Sequence, residues 1–173
     1  MITFVILHYR TLQDTIACVE SIRASARGAP HTITIVDNGS PDGSGEQLSS
    51  RYGVVEGVTV LLSPLNLGYA RGNNLGCAHV IKSVRPDFIC LLNNDVVLQQ
   101  SDFCERIAAE YALSTFDILG PDIFNINGLH ANPFPALPLN VESVRREISG
   151  YKTRRILMCL RLSCVAEYVM KKR

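Results

Sequence analysis

The sequence predicts an α/β fold in which helices flank a mostly parallel β-sheet, followed by a helical C-terminal tail. Two observations predict the sheet: short apolar runs alternate with segments of helical spacing, and polar clusters follow the runs. The 173 residues are 47% hydrophobic and 19% charged, which is typical of a globular protein. This length is enough for one domain with a hydrophobic core.

The first half of the chain alternates between the two kinds of element. Residues 2–7 are almost continuously apolar, as in a strand covered on both faces. Thr11 is typical of a helix N-cap, and Gly28 ends the helix that follows. Residues 32–36 are rich in β-branched residues and predict the second strand, while a short polar helix is predicted near 44–51.

The second half continues the alternation. Residues 58–62 and 87–92 predict the third and fourth strands, and a helix ending near Val84 lies between them. A further helix is predicted at 103–114, and a short fifth strand at 117–119. Strands that alternate with helices in this way form right-handed βαβ units and a parallel sheet.

The sequence predicts two regions, an α/β domain at 1–125 and a loop with a basic helical tail at 126–173. The first 144 residues hold 8 basic and 14 acidic residues, and the last 29 hold 9 and 2. The amphipathic pattern at 154–173 leaves three interpretations open: contact with an anionic membrane surface, packing on a further part of the enzyme, or a homo-oligomer. The net charge of +1 argues against a nucleic-acid partner.

The cysteines and the N-terminus predict a cytoplasmic location, free or at the inner face of the plasma membrane. None of the six cysteines forms a C-x-x-C pair, so we expect small buried hydrophobes in a reducing compartment. The N-terminal apolar run stops at His8 and is too short for a signal peptide.

Polar clusters follow the four main strands, at 8–10, 37–43, 66–74 and 93–95. The carboxyl ends of parallel strands meet at one edge of a sheet, where ligands bind in such folds. The sequence therefore predicts a single site assembled from these clusters.

Two of the clusters contain carboxylates suited to binding. Asn93-Asn94-Asp95 supplies hard oxygen ligands, which suit Mg²⁺ or Mn²⁺ if a substrate diphosphate completes the coordination. Asp37 follows the second strand, where an acid can accept hydrogen bonds from a ribose or a base. Taken alone, both segments are also typical of polar turns.

The other two clusters add backbone flexibility and positive charge. In the 66–74 segment, Gly68 and Gly72 would let the backbone approach a ligand, and Arg71 can pair with a phosphate. The helix that starts there directs its N-terminal N–H groups toward an anion. His8 is either a pocket residue or a hydrogen-bonded structural histidine.

Together, these segments resemble the family-2 glycosyltransferases of the GT-A fold, especially the bacterial rhamnosyltransferase-like branch. The resemblance covers about residues 1–125. The matching pieces, in the family's order and spacing, are Val5-Ile6-Leu7-His8-Tyr9, Ile35-Val36-Asp37-Asn38-Gly39-Ser40, Asn66-Leu67-Gly68-Tyr69-Ala70-Arg71-Gly72-Asn73-Asn74 and Leu91-Leu92-Asn93-Asn94-Asp95.

The resemblance implies a nucleotide-sugar site with a divalent metal. Asp95 would be the metal ligand, as the surviving final carboxylate of the family's Asp-x-Asp motif, with Mg²⁺ or Mn²⁺ bridging the donor diphosphate. The implied nucleotide-sugar-binding residues are His8, Tyr9, Asp37, Asn38, Gly68, Arg71, Asn74, Asn93 and Asn94.

The sequence departs from the family pattern in ways that bear on catalysis. Family members usually carry Asn at the positions of His8 and Arg10, and Asp at the position of Asn93. The family's Glu-Asp pair, which includes the catalytic base, has no counterpart in this sequence. The only acids after Asp122 are Glu142, Glu147 and Glu167.

The resemblance implies transfer of a sugar, with inversion, from a nucleoside-diphosphate sugar to a saccharide or lipid-linked acceptor in surface polysaccharide synthesis. The missing base leaves a second hypothesis open, a non-catalytic nucleotide-sugar-binding or interaction module without the acceptor half. A third, an unrelated nucleotide-binding protein, is disfavoured because the P-loop and Gly-x-Gly-x-x-Gly patterns are absent.

Overall fold

A computed structural model describes residues 1–129 of the chain. The predicted helical tail, and the membrane or partner contacts predicted for 154–173, lie outside the described residues. The elements in chain order are β1 (Ile2–His8), α1 (Leu12–Ser25), β2 (His31–Asp37), α2 (Ser44–Tyr52), β3 (Val58–Leu62), α3 (Tyr69–Ser83), β4 (Phe88–Asn93) and α4 (Phe103–Ser114).

The four strands form a parallel sheet in the order β3-β2-β1-β4. The central strand β1 pairs with β2 on one side and with β4 on the other. The predicted α/β class with a parallel sheet is thereby confirmed.

Each face of the sheet has its own core, because successive side chains on a strand point to opposite faces. Phe4 and Ile6 belong to the larger core, to which α1, α2 and α4 contribute. Val5 and Val36 belong to a smaller core that includes Val80 of α3. Burial on both faces explains why β1 is almost continuously apolar in the sequence.

Helix α3 lies unusually close to the sheet because it carries glycines where it crosses β1. A Cβ atom at Gly76 would lie 2.5 Å from Cγ1 of Val5, and one at Gly72 would lie 2.5 Å from Cδ1 of Leu7. The predicted approach of a ligand to the backbone at Gly72 remains a prediction, and the packing gives a second reason for glycine at this position. Its missing side chain makes room for the sheet.

Two further expectations concern the end of the described segment. The predicted fifth strand at 117–119 is wrong: these residues have no regular structure, and Ile118 is 91% exposed. Short apolar runs of this kind are ambiguous in a sequence. Residues Met1–Phe116 form one compact unit, and the domain boundary predicted at residue 125 remains a prediction.

The described cysteines agree with the expectation of buried thiols. Cys18 and Cys104 are buried, Cys77 and Cys90 are partly buried, and all four are free. Within residues 1–129, no helix is long and apolar enough to cross a membrane.

Candidate functional site

The strand register brings the polar clusters to one edge of the sheet. His8 at the end of β1 pairs in register with Asp37 at the end of β2, and Asp37 pairs with Leu62 at the end of β3. Leu7 pairs with Asn93 at the end of β4. The carboxyl ends of all four strands are therefore adjacent, as the sequence predicted.

Asp37 is held rigidly where β2 ends. Its side chain is almost fully buried, and both carboxylate oxygens accept hydrogen bonds from the backbone N–H of Ser40 at 3.3 Å. A Cβ atom at Gly45 would lie 2.5 Å from Cγ of Asp37, so the carboxylate packs directly against the start of α2. The carboxylate is thus fixed before any ligand arrives.

The loop after β2 contacts the loop after β3 through backbone that only glycine allows. Gly39 has a φ of +71°, and a Cβ atom there would lie 2.4 Å from the carbonyl carbon of Leu65. Asn38 joins the same two loops, because its Oδ1 accepts from the N–H of Leu67 at 2.9 Å and its Nδ2 donates to Oδ1 of Asn66 at 3.2 Å. Asn38 is itself buried, so in this structure it stabilises the contact between the two loops from the interior.

A cavity of about 480 Å³ opens between these two loops. Of the predicted site residues, Asp37 alone lines it. The full lining is Asp37, Gly39, Ser40, Pro41, Glu46, Leu62, Ser63 and Pro64.

Two lining residues were missed by the sequence reasoning for physical reasons. Glu46 lies in the first turn of α2, where an acid is also typical of a favourable interaction with the helix dipole. Ser63 lies between β3 and the 66–74 cluster, and its N–H donates to the carbonyl of Asp37 at 2.9 Å and extends the sheet edge. Their positions directly after a strand and at a helix start were the available signal.

His8 lies beneath this edge rather than on its surface. Its side chain is fully buried, with Nδ1 2.7 Å from Oγ1 of Thr15 and Nε2 2.8 Å from Oγ of Ser44. Burial lowers the pKa of His8, and the nearby carboxylates of Asp37 and Asp42 only partly oppose this effect. The geometry favours the structural alternative over direct contact with a ligand.

The turn after β4 presents its first and last side chains to solvent. Asn93 and Asp95 are exposed, whereas Asn94 is half-buried. Nδ2 of Asn94 donates to Oγ1 of Thr11 at 2.6 Å and to Oγ1 of Thr15 at 3.0 Å. Thr11 is the N-cap residue of α1, but its hydroxyl makes no capping bond, and it holds this turn instead.

The turn fits a divalent metal only if a substrate completes the coordination. Asp95 is a single accessible carboxylate beside amide oxygens, which are ligands that Mg²⁺ and Mn²⁺ prefer. No group of three or more His, Cys, Asp or Glu side chains is arranged to hold a metal ion within residues 1–129. The metal predicted at Asp95 therefore depends on ligands from the donor.

The remaining predicted residues lie on the surface near the same edge. Tyr9 is partly exposed. The guanidinium carbon of Arg10 lies 5.0 Å from the centre of the Tyr9 ring. Gly68 is the N-cap residue of α3 with a φ of +79°, and Arg71 and Asn74 are exposed on α3. The ligand contacts predicted for these residues remain predictions.

Arg10 adopts a left-handed backbone conformation with a φ of +68°. Asn, the residue expected at this position from the resemblance, tolerates this conformation better than Arg. The N–H of Arg10 donates to Oγ of Ser40 at 3.0 Å, so the end of β1 is tied to the loop after β2.

Comparisons with known proteins agree with this architecture. The sequence matches the family model for Glycosyl transferase family 2 over residues 3–161. No curated protein matches it.

Several solved structures of S. aureus TarS share the fold, each at 16% sequence identity. The TarS 1–349 structure has a TM-score of 0.61 and covers 80% of this chain and 40% of that one. TarS 1–349 in complex with UDP-GlcNAc has a TM-score of 0.61 and covers 80% and 38%. A further TarS structure has a TM-score of 0.59 and covers 78% and 23%.

The chain spans at most 40% of the length of these structures. At this identity the likeness shows a shared fold, and it confirms the predicted GT-A architecture. The family match extends over most of the chain and confirms the resemblance seen in the motifs. The chain therefore belongs to glycosyl transferase family 2.

Proposed function

We propose that the protein binds a nucleoside-diphosphate sugar at the carboxyl edge of its sheet and donates the sugar to an acceptor hydroxyl. The observation that carries this proposal is the placement of two features at the same edge, on either side of the end of β1: a cavity with the fixed carboxylate of Asp37, and the exposed turn that ends in Asp95. The cavity would hold the nucleoside, and the turn would lie at the diphosphate. The UDP-GlcNAc complex of TarS, a protein of the same fold, supports this assignment.

The proposal includes a divalent metal held by Asp95 together with the donor diphosphate. Mg²⁺ or Mn²⁺ would stabilise the negative charge that develops on the departing nucleoside diphosphate. Asn93 and Asn94 would add neutral oxygens beside the carboxylate. The exposed side chains of Arg71 and Asn74 at the start of α3 would complete the polar surface around the donor.

The proposed transfer inverts the sugar and serves surface polysaccharide synthesis, with a saccharide or lipid-linked acceptor. An inverting transfer needs a base that takes the proton from the acceptor hydroxyl as its oxygen attacks the anomeric carbon. The described site supplies donor binding, and no residue in it is assigned as this base. The second candidate function, a non-catalytic nucleotide-sugar-binding module, rests on the same donor-binding edge used without transfer.

The first test is metal-dependent donor binding in the full chain. UDP-, dTDP- and GDP-sugars are titrated calorimetrically with and without Mn²⁺, and sugar release is measured in parallel. We expect at least one donor to bind and Asp95→Asn to weaken it by about tenfold or more, because the metal loses its only charged protein ligand.

Asp87→Asn is the matched control because Asp87 precedes β4 and Asp95 follows it. The side chain of Asp87 contacts the N-terminal ammonium group at the opposite edge of the sheet, so its loss should leave donor binding unaffected. Binding with metal-dependent sugar release supports the enzyme, and binding without release supports the module. No binding of any donor would contradict both functions.

A further inference from the structure

A chain of hydrogen bonds runs beneath the candidate site from the loop after β2 to the turn after β4. Oγ of Ser44 donates to Oδ1 of Asp42 at 2.6 Å and lies 2.8 Å from Nε2 of His8. Nδ1 of His8 lies 2.7 Å from Oγ1 of Thr15, which in turn lies 3.0 Å from Nδ2 of Asn94. His8 is fully buried and Thr15 is also buried, so water does not compete for the two bonds that His8 makes.

The direction of these bonds follows from the chemistry at the Asp42 end. An ionised carboxylate only accepts hydrogen bonds, and the bond from Ser44 lowers the pKa of Asp42. Since the Ser44 hydroxyl gives its hydrogen to Asp42, it must accept from Nε2–H of His8. Burial keeps His8 neutral by lowering its pKa, so its Nδ1 is an acceptor and takes the hydrogen of the Thr15 hydroxyl.

This direction determines which end of the Asn94 amide faces inward. The Thr15 hydroxyl has two acceptors within reach, Nδ1 of His8 at 2.7 Å and the carbonyl oxygen of Thr11 at 3.3 Å, and with its hydrogen directed to them it accepts from Asn94. Nδ2 of Asn94 therefore turns inward and donates to Thr11 and Thr15. Oδ1 of Asn94 has no protein partner in the described structure, and no buried side-chain oxygen or nitrogen there lacks one, so Oδ1 is open to solvent.

We propose that His8 is a positioning residue that, through Thr15, holds the Asn94 amide with Oδ1 facing the donor site. Oδ1 is then a fixed acceptor for a hydroxyl of the nucleotide sugar. Without the His8 acceptor, the Thr15 hydroxyl keeps only the longer bond to the Thr11 carbonyl at 3.3 Å, so it becomes able to donate to Oδ1 of Asn94 and turn the amide around. This inference rests on the proposed function, because it assigns the donor as the group that Oδ1 meets.

Two substitutions separate the two halves of the chain of hydrogen bonds. In His8→Gln, the side-chain amide of Gln takes the place of Nε2 and reaches Ser44. No acceptor then remains at the position of Nδ1. His8→Asn has an acceptor at the position of Nδ1, facing Thr15, but does not reach Ser44. Both variants replace a fully buried ring with a smaller amide. A purely structural role for His8 therefore predicts similar losses of donor binding in the two variants.

The first measurement is donor binding with Mn²⁺, using the tightest-binding member of the UDP-, dTDP- and GDP-sugar panel. We expect His8→Gln to weaken binding about tenfold, and His8→Asn to recover most of that loss, since one hydrogen bond changes affinity by about this factor. Thr15→Val should weaken donor binding as much as His8→Gln does. The double variant should bind the donor no more weakly than either single variant. Equal losses in His8→Gln and His8→Asn would overturn the proposal.

The second measurement needs no ligand. The side-chain amide of Asn94 is observed by NMR in the full 19.1 kDa chain and assigned by its disappearance in Asn94→Asp. We expect its proton signals to shift and its exchange with water to speed up about tenfold in His8→Gln, but not in His8→Asn. An Asn94 amide that is unchanged in His8→Gln would overturn the proposal.

Thr3→Val is the matched control for lost stability. Thr3 is fully buried at the other end of β1, where Oγ1 lies 2.7 Å from Oγ1 of Thr32. Its substitution removes a buried hydrogen bond without touching the candidate site, so the Asn94 signals should stay unchanged. If no donor binds but the Asn94 amide responds as expected, the proposed function fails while the positioning role of His8 stands.

Discussion

The behaviour of His8 follows from its burial at the end of a hydrophobic strand. Its ring is fully buried and hydrogen-bonded at both nitrogens, and burial lowers its pKa below the ordinary value of 6.5. Two carboxylates, Asp37 and Asp42, oppose this shift without reversing it. The folded protein therefore favours the neutral ring that the hydrogen-bond pattern requires.

We expect stability to fall as the pH drops below about 6.5, because unfolded His8 then binds a proton that the folded protein resists. The His8 contribution is fully present above that pH and is lost progressively down to the folded pKa. Between about pH 7.5 and about pH 5.5 the loss should reach up to about 1 kcal/mol. Urea unfolding of the unmodified protein and of His8→Asn gives the free energy of unfolding at each pH. The difference between the two pH profiles measures the His8 contribution. Parallel profiles would contradict this account of His8.

Helix α3 shows how one element serves both the core and the site. Gly72 and Gly76 allow it to lie against β1 and β2, while Arg71 and Asn74 remain exposed on its surface. The close packing fixes the start of the helix next to the loop after β2. The glycines thus set the position of the exposed side chains through their packing on the sheet.

We expect Gly76→Ala to destabilise the protein by about 1–3 kcal/mol, although alanine is the better helix former. The new methyl group would lie 2.5 Å from Cγ1 of Val5 and 2.9 Å from Cγ2 of Val36, and β-branched side chains adjust poorly. Gly72→Ala should cost less, because it meets the flexible end of Leu7. Gly120→Ala meets no atom within 4 Å and serves as the neutral control. Free energies of unfolding in urea measure the series, and a stabilised Gly76→Ala variant would contradict the close-packing argument.

At the scale of the whole molecule, patterns of hydrophobicity predicted the strands, helices and site edge well. The period of apolar residues reflects which faces are buried, and that determines the parallel sheet. The pattern carries less information about contacts between distant segments. The link from His8 to Ser44, and the contact between Gly39 and Leu65, depend on three-dimensional packing that no spacing in the sequence reveals.

The reactivity of the buried thiols tests whether the core excludes water as the structure indicates. Burial raises the pKa of Cys18 to about 12, with a further contribution from the charge of Asp95. Burial raises the pKa of Cys90 to about 12 as well. Only the thiolate reacts with alkylating reagents, and a shift from 9.0 to about 12 lowers its population about a thousandfold near pH 8.

We expect Cys18 and Cys90 to be alkylated at least about a thousandfold more slowly in the native protein than in urea. Peptide mass spectrometry after timed labelling with iodoacetamide follows each site without any substitution. Cys77 on α3 is the internal comparison and should react first of the three, since a backbone hydrogen bond opposes the effect by which burial raises its pKa. Because Sγ of Cys18 lies 3.8 Å from the carbonyl oxygen of Asn93, labelling there requires the turn after β4 to separate from α1. Rapid native labelling of Cys18 would therefore show that the turn assigned to the donor diphosphate is not held in place by the sheet and α1.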